Sequence, residues 1–323
     1  MLPVIPHHGF WFTLLALAVG IPVHAGWLWM LRHIKAGQPI RSDGPLSHIS
    51  KQGTPTMGGV ATVVTLLILV WLTVPHVKTE QWIAMGAMLG MGAVGLADDV
   101  LKLTRGKNLG LRAWQKLALQ MMVGLFLALA ILKFVPVAGG FRLLVSSPIF
   151  YMGWAFLLTS ATSNAFNITD GLDGLATLVL LPLWLVLGLV CIAQGQVPLA
   201  GICFLTAAVG PSFLFFNWQP AKMFMGEVGI LAYAGLAAAI ALLVNAEWIL
   251  LVAAAVPVAE TLSVMLQVSY FKWTGGQRIF KMSPLHHHFE LLGWSERRVV
   301  LTFSFLSVLA SALALATRNW LLW

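Results

Sequence analysis

Long apolar runs, each ended by charged residues or by turn-forming Gly, Pro, Asn and Asp, dominate this chain. Ten of them stand near residues 10–31, 57–75, 82–97, 115–135, 148–163, 175–193, 198–216, 229–244, 248–271 and 299–317. A helix needs about 20 apolar residues to cross the hydrocarbon core of a bilayer, and most of the runs approach that length. The pattern predicts an all-α membrane protein, a polytopic bundle of about ten transmembrane helices. The run 82–97 is the weakest by length, and Pro257 inside 248–271 predicts a kink. No fixed-period repeat, low-complexity segment or soluble domain separates the runs, so 1–323 reads as a single integral-membrane domain. The first run has no Lys or Arg before it and only a poor cleavage signal at Val23-His24-Ala25. It reads as a retained span rather than a signal peptide.

Composition agrees. Hydrophobic residues make up 59% of the chain and charged residues 9%, against roughly 25% charged in a soluble domain. So few charges cannot cover a water-facing surface, and lipid must solvate much of the molecule. The net charge of +8 would hint at nucleic acid in a soluble protein; here its placement matters more, because Lys and Arg orient membrane spans. Fifteen of the 19 Lys and Arg fall in the loops 31–56, 98–114 (with Lys116), 164–174, 217–228 and 272–298. Lys78, Lys133, Arg142 and Arg318 lie on the other side. The positive-inside rule makes the first set cytoplasmic and both termini external. The acids sort the same way: Asp43, Asp98, Asp99, Asp170, Asp173, Glu227, Glu290 and Glu296 fall in or beside the cytoplasmic loops, while Glu80 and Glu247 lie outside. This gathering predicts an active-site cleft facing the cytoplasm. Cys191 and Cys203 sit in apolar runs and read as small packing residues, not as a disulfide or metal site.

Five polar segments carry candidate chemistry. Asp98-Asp99 places two adjacent carboxylates at the end of a span, with Lys102 at helical spacing from both. Adjacent acids repel, and Mg²⁺, which prefers carboxylate oxygen, is one reason to keep them together. In the second segment Asn164, Asn167, Asp170 and Asp173 recur at every third position, with Gly171 and Gly174 open to close approach by a ligand. Asp170 is also a candidate cap for the sixth span. A third segment sets Glu227 between glycines, Gly226-Glu227-Val228-Gly229. A fourth holds His286-His287-His288. Successive helical side chains turn by about 100°, so these three cannot aim at one point, and imidazole matches Mg²⁺ poorly. Hydrogen bonding to phosphate, sugar or uracil suits them better. Finally, Lys51 in a Gly-, Pro- and Thr-rich loop is a plausible phosphate or nucleotide contact. Glu260, alone at depth in a span, reads as a buried polar packing group.

Taken together, Arg41-Ser42-Asp43-Gly44-Pro45, Gly53-Thr54-Pro55-Thr56-Met57-Gly58-Gly59, Asp98-Asp99, Asn164 to Ala176, Phe224-Met225-Gly226 and Pro284-Leu285-His286-His287-His288-Phe289-Glu290 resemble the phospho-N-acetylmuramoyl-pentapeptide transferase family, within the polyprenyl-phosphate N-acetylhexosamine-1-phosphate transferases. The triple-His segment favours the muramoyl branch over the GlcNAc branch. The resemblance runs from about Gln38 to the C-terminus. It implies transfer of phospho-MurNAc-pentapeptide from UDP-MurNAc-pentapeptide to undecaprenyl phosphate in the bacterial inner membrane, giving lipid I and UMP, with Mg²⁺ required and a homodimer allowed. By matching position it implies that Asp98, Asp99 and Glu227 are the carboxylates of catalysis or metal. It further implies that Lys51, Gly171, Leu172, Asp173 and Phe224 hold the uridine part. Asn164, Asn217, Gln267, His286, His287 and His288 match further substrate-contacting positions, and Lys102 and Lys116 match cleft lysines. One departure stands out. Where the family reads Gly-Asp-Val-Gly-Ser, this chain reads Gly226-Glu227-Val228-Gly229-Ile230, with a carboxylate one methylene longer and a hydroxyl lost.

Two other classes meet the same polar residues differently. A transporter places polar groups midway along its spans, whereas here only Glu260 lies at depth among the acids. A catalytically silent lipid- or nucleotide-binding relative would be told from an enzyme by turnover. The orientation is tested directly. With Cys191 and Cys203 removed, a cysteine at Gln196 is expected to label from outside the cell, and one at Asn108 only after permeabilisation. Reversed labelling would overturn the cytoplasmic site.

Overall fold

A computed structural model describes residues 5–34, 37, 51, 53–74, 76–105, 109–135 and 147–318, with residues 5–10 described for their backbone alone. The Arg41–Pro45 motif, Asp43 and Asn108 lie outside the described residues. The helices are α1 (Ile5–His33), α2 (Gly58–Thr73), α3 (Thr79–Arg105), α4 (Ala113–Phe134), α5 (Pro148–Thr169), α6 (Leu175–Ala193), α7 (Val197–Asn217), α8 (Gly226–Leu243), α9 (Glu247–Ala253), α10 (Ala255–Trp273), α11 (Leu285–Leu291) and α12 (Glu296–Ala316). Each of the ten apolar runs falls on one of them or, for 248–271, on the pair α9–α10. The fold is therefore the all-α polytopic bundle that the pattern predicts.

Seven helices meet length and apolarity for a membrane span, and the broken pair α9–α10 makes an eighth. Two expectations change in detail. The run 82–97 is not short: α3 has 27 residues and continues past its acids to Arg105. The run 248–271 is not one rod but bends by 76° between Ala253 and Ala255. Pro257 lies in the first turn of α10, where its missing N–H costs nothing, so proline begins a new helix here rather than weakening an old one.

At the centre stands α8, buried at every residue from Val228 to Leu243. A helix apolar all round belongs inside a bundle, and α2, α3, α5, α6 and α9 pack round it. Its small residues permit close approach, which drives packing where lipid removes the hydrophobic force between helices. A Cβ on Gly95 of α3 would overlap the backbone of Glu227, and one on Gly235 of α8 would come within 2.6 Å of the Ala87 carbonyl. On the opposite flank Gly59 of α2 lies against Gly229. Here backbone seals the contact. Phe224 N donates to Pro55 O, Gly58 N to Phe224 O and Gly59 N to Met225 O, each at 2.8 Å. Those bonds satisfy the first free N–H groups of α2. Outside, Trp71, Phe126, Ile149 and Phe150 are largely exposed, as lipid-facing side chains must be.

Gly235→Val is expected to force α3 and α8 apart. Overpacking of this kind costs about 1–3 kcal/mol, so the Tm of detergent-purified protein should fall. An unchanged Tm would contradict the tight α3–α8 contact.

Candidate active site

The close α3–α8 contact brings Asp98 and Asp99 to the first turn of α8. Both are buried. Asp99 Oδ2 accepts from Val228 N at 3.1 Å, so a carboxylate sits on the positive end of α8. Gly226, with φ of 74°, is needed there, since a Cβ would lie 2.7 Å from Asp99 Oδ2. Asp98 Oδ1 accepts from Leu111 N at 2.8 Å, and its Oδ2 pairs with Lys102 Nζ at 2.6 Å. Lys102 thus chooses Asp98 of the two acids within its reach. It also reaches Glu227 Oε1 at 3.0 Å, while Lys116, in the first turn of α4, pairs with Glu227 Oε2 at 2.5 Å. Asn167 of α5 approaches Glu227 Oε1 at 3.5 Å. Four helices therefore supply one charged cluster.

A second cluster forms where the α5–α6 link meets the chain after α7. Lys51 Nζ contacts Asp173 Oδ1 at 2.8 Å and Glu296 Oε1 at 2.6 Å. The other Asp173 oxygen accepts from Ala221 N at 2.9 Å, and Asp173 N donates to Glu296 Oε1 at 2.9 Å. Asn217 braces this corner from within: its Oδ1 accepts from Gly174 N and its Nδ2 donates to Met223 O, both at 2.9 Å. Phe224 is half-buried, with its backbone in the α2 ladder. Leu172 is buried in an apolar cluster with Leu175, Val256 and Val299.

The histidines take a third position on α11. His286 Nδ1 lies 3.1 Å from Glu260 Oε2, His287 Nδ1 lies 2.8 Å from Glu290 Oε2, and His288 Nδ1 accepts from Lys281 N at 3.1 Å. Their Nδ1 atoms take three separate partners, although the His286 and His287 rings pack edge-on with centroids 4.2 Å apart. Gln267 is spent on backbone: its Oε1 accepts from Ile279 N and Phe280 N at 3.0 Å, and its Nε2 donates to Phe280 O at 3.1 Å. Asn164 donates to Ser160 O at 2.8 Å beside Gln120 of α4.

Residues 167–173 join the three clusters. Asn167 faces Glu227, Gly171 lies against the His286 ring, and Asp173 holds Lys51. Asp170 sits between. It is not a cap of α6, whose N-cap is Gly174; it ends α5 instead. Burial, then the charges of Glu227, Asp99 and Asp173, push its carboxyl up to about 7. Among the described residues no cation pairs with it.

That unmet carboxylate bears on Mg²⁺. Among the described residues, Asp98, Asp99, Asp170, Asp173, Glu227 and Glu296 lie beside Lys51, Lys102 and Lys116, and every acid is a hard oxygen donor. Among the described residues no three His, Cys, Asp or Glu form a ready metal cage. Mg²⁺ commonly takes one or two carboxylates and completes its shell with water and substrate phosphate. The residues fit the ion in that mode.

Sequence reasoning did not assign Glu296 to the site, and it left Glu260 as packing. Glu296 follows Ser295, whose side chain caps α12, so it reads as an ordinary first-turn acid. Glu260 gave a signal in its cost: a carboxylate inside a span requires a partner.

The Glycosyl transferase family 4 profile matches residues 81–245, and the phospho-N-acetylmuramoyl-pentapeptide-transferase signature 1 matches 51–61. The chain is similar to the phospho-N-acetylmuramoyl-pentapeptide-transferase of Heliobacterium modesticaldum, 42% identical over 94% of this chain and 95% of the relative. It is 40% identical to the same-named protein of Clostridium perfringens over 89% of this chain and 92% of that one. For that of Listeria monocytogenes the identity is 41%, over 88% and 89%.

Asp99→Asn keeps an acceptor for Val228 N but removes the charge. The protein is expected to fold, with turnover lowered by at least about a hundredfold, the lower scale for losing a positioned catalytic group. Near-normal turnover in folded protein would remove Asp99 from the chemistry.

Proposed function

The chain belongs to the phospho-N-acetylmuramoyl-pentapeptide-transferase family, and we propose that its cleft carries out that family's reaction. A multi-span membrane enzyme transfers phospho-MurNAc-pentapeptide from UDP-MurNAc-pentapeptide to a polyprenyl phosphate, giving lipid I and UMP for peptidoglycan. The carrier is undecaprenyl phosphate, and the cleft opens to the cytoplasm from the inner membrane. The convergence of Asp98, Lys102, Lys116 and Glu227 beside Asp99 carries this reading.

One phosphoanhydride is exchanged for another, so the driving force is small and the barrier is electrostatic. A phosphate monoester must approach an anionic diphosphate. Lys102 and Lys116 are placed to offset that repulsion and the charge on departing UMP. Mg²⁺, held by Glu227 with one of the Asp98-Asp99 pair, would supply further charge neutralisation at the phosphates. The second pKa of a phosphate monoester is about 6, so the nucleophile is mostly ionised at neutral pH. Positioning therefore matters more than a strong base, and the other aspartate of the pair orients the lipid phosphate. At the far end of the link, Lys51 and Asp173 with Gly171 and Phe224 take the uridine part. His287 and His288 supply hydrogen bonds near the sugar phosphate.

The length of Glu227 fits this arrangement. Its two oxygens bridge Lys102 and Lys116, a span that an aspartate would reach less easily. Purified protein with both substrates and Mg²⁺ is expected to release UMP and form lipid I. Glu227→Gln should be nearly inactive, and Glu227→Asp should keep measurable activity without a large gain. Absence of lipid I from folded protein would overturn the reaction; full turnover in Glu227→Gln would remove that residue from it.

A further inference from the structure

Glu260 and His286 lie outside the chemistry derived above, yet both are fully buried. They are 26 residues apart, on α10 and α11, and meet at 3.1 Å between Oε2 and Nδ1. Glu260 lies on the inward face of α10 with Ser263 and Gln267. That face holds the histidine segment at two points, Gln267 on the backbone of Ile279 and Phe280, and Glu260 on the His286 ring. A buried carboxylate with no partner would be costly, and holding a ring N–H is what a buried acid does well.

His286 Nε2 finds no hydrogen-bond partner among the described residues, and the ring edge is seated on Gly171. A Cβ at Gly171 would overlap Nε2 and stand 2.7 Å from Cε1. Gly171 has no positive φ to explain its glycine; the room for the ring explains it. Two residues on, Asp173 engages Lys51 and Ala221 N.

We propose that Glu260 is a positioning residue. It fixes the His286 ring as a floor beneath Gly171, and that floor holds the 170–173 turn in the place where Asp173 and Lys51 receive the nucleotide end of the substrate. The proposal rests on the uridine reading of that pocket. It assigns His286 to support of the turn, and leaves His287 and His288 as the histidines that face substrate.

The test uses detergent-purified full-length protein and UDP as the probe, read by calorimetry, beside steady-state kinetics. Glu260→Leu removes the acceptor, and Gly171→Ala lifts the turn from the ring. Each is expected to weaken UDP binding by about tenfold, the scale of stranding one buried hydrogen-bonding group, and to raise KM for UDP-MurNAc-pentapeptide alike. KM for undecaprenyl phosphate should stay unchanged. Glu260→Gln retains an acceptor oxygen for the Nδ1 proton and should restore UDP binding to within about threefold of the parent. Because both changes act through one contact, the double variant should be weakened less than the two losses combined. Folded Glu260→Leu that binds UDP like the parent, or equal rises in both KM values, would overturn the proposal. If Glu260→Leu does not fold, Gly171→Ala and Glu260→Gln decide it by the same readouts. Failure of the parent protein to bind UDP would instead overturn the uridine reading itself.

Discussion

Lys102 reaches Asp98 of its own helix and Glu227 of α8, at 2.6 and 3.0 Å, and the rest of the cleft depends on that bridge. Burying a charge costs several kcal/mol unless it is paired. Asp98, Asp99 and Glu227 can sit at the end of a membrane bundle only because lysines and helix N–H groups meet them. The same positive charges make the place suitable for phosphates. Stability and reactivity are set here by one balance of charge.

The balance requires backbone contact that ordinary side chains would prevent. Gly95 lets α3 lie against the start of α8, Gly226 makes room for the Asp99 carboxylate, and Gly59 with Gly229 closes the α2 side. Lipid offers no hydrophobic gain for bringing helices together, so close packing and interhelical hydrogen bonds must do it. The central helix α8 is correspondingly rich in Ala and Gly and buried along its length. Rigid helices then deliver Glu227 to the two lysines, where a mobile loop would not.

Much of this was legible in the sequence, because a bilayer leaves few ways to satisfy backbone groups. Apolar runs located the helices, and Pro257 marked the bend before α10. Adjacent Asp98 and Asp99, and the period of three from Asn164 to Asp173, pointed at the cleft. Periodicity gives spacing along one element, however, and says nothing of partners hundreds of residues away. It suggested Asp170 as a cap for α6, whereas the chain makes that turn with Gly174 in a left-handed conformation. It gave no reason to join Glu296 to Lys51, which precedes it by 245 residues, since an acid in the first turn of α12 has a sufficient local explanation. Glu260 could be recognised as buried, but its partner His286 lies 26 residues on, in α11, and no local pattern joins the two.

The 167–173 segment separates two tasks while joining them. At one end Asn167 faces the charged cluster, the proposed place of phosphate transfer; at the other Asp173 faces Lys51, the proposed nucleotide pocket. Lys102→Met tests this division most directly, with turnover and UDP affinity measured on the same purified protein. The account predicts turnover lowered by at least about a hundredfold, on the scale of removing a preorganised charge from a transition state, with UDP affinity within about threefold of the parent. Turnover close to that of the parent, or a loss of UDP binding as large as the loss of turnover, would contradict it.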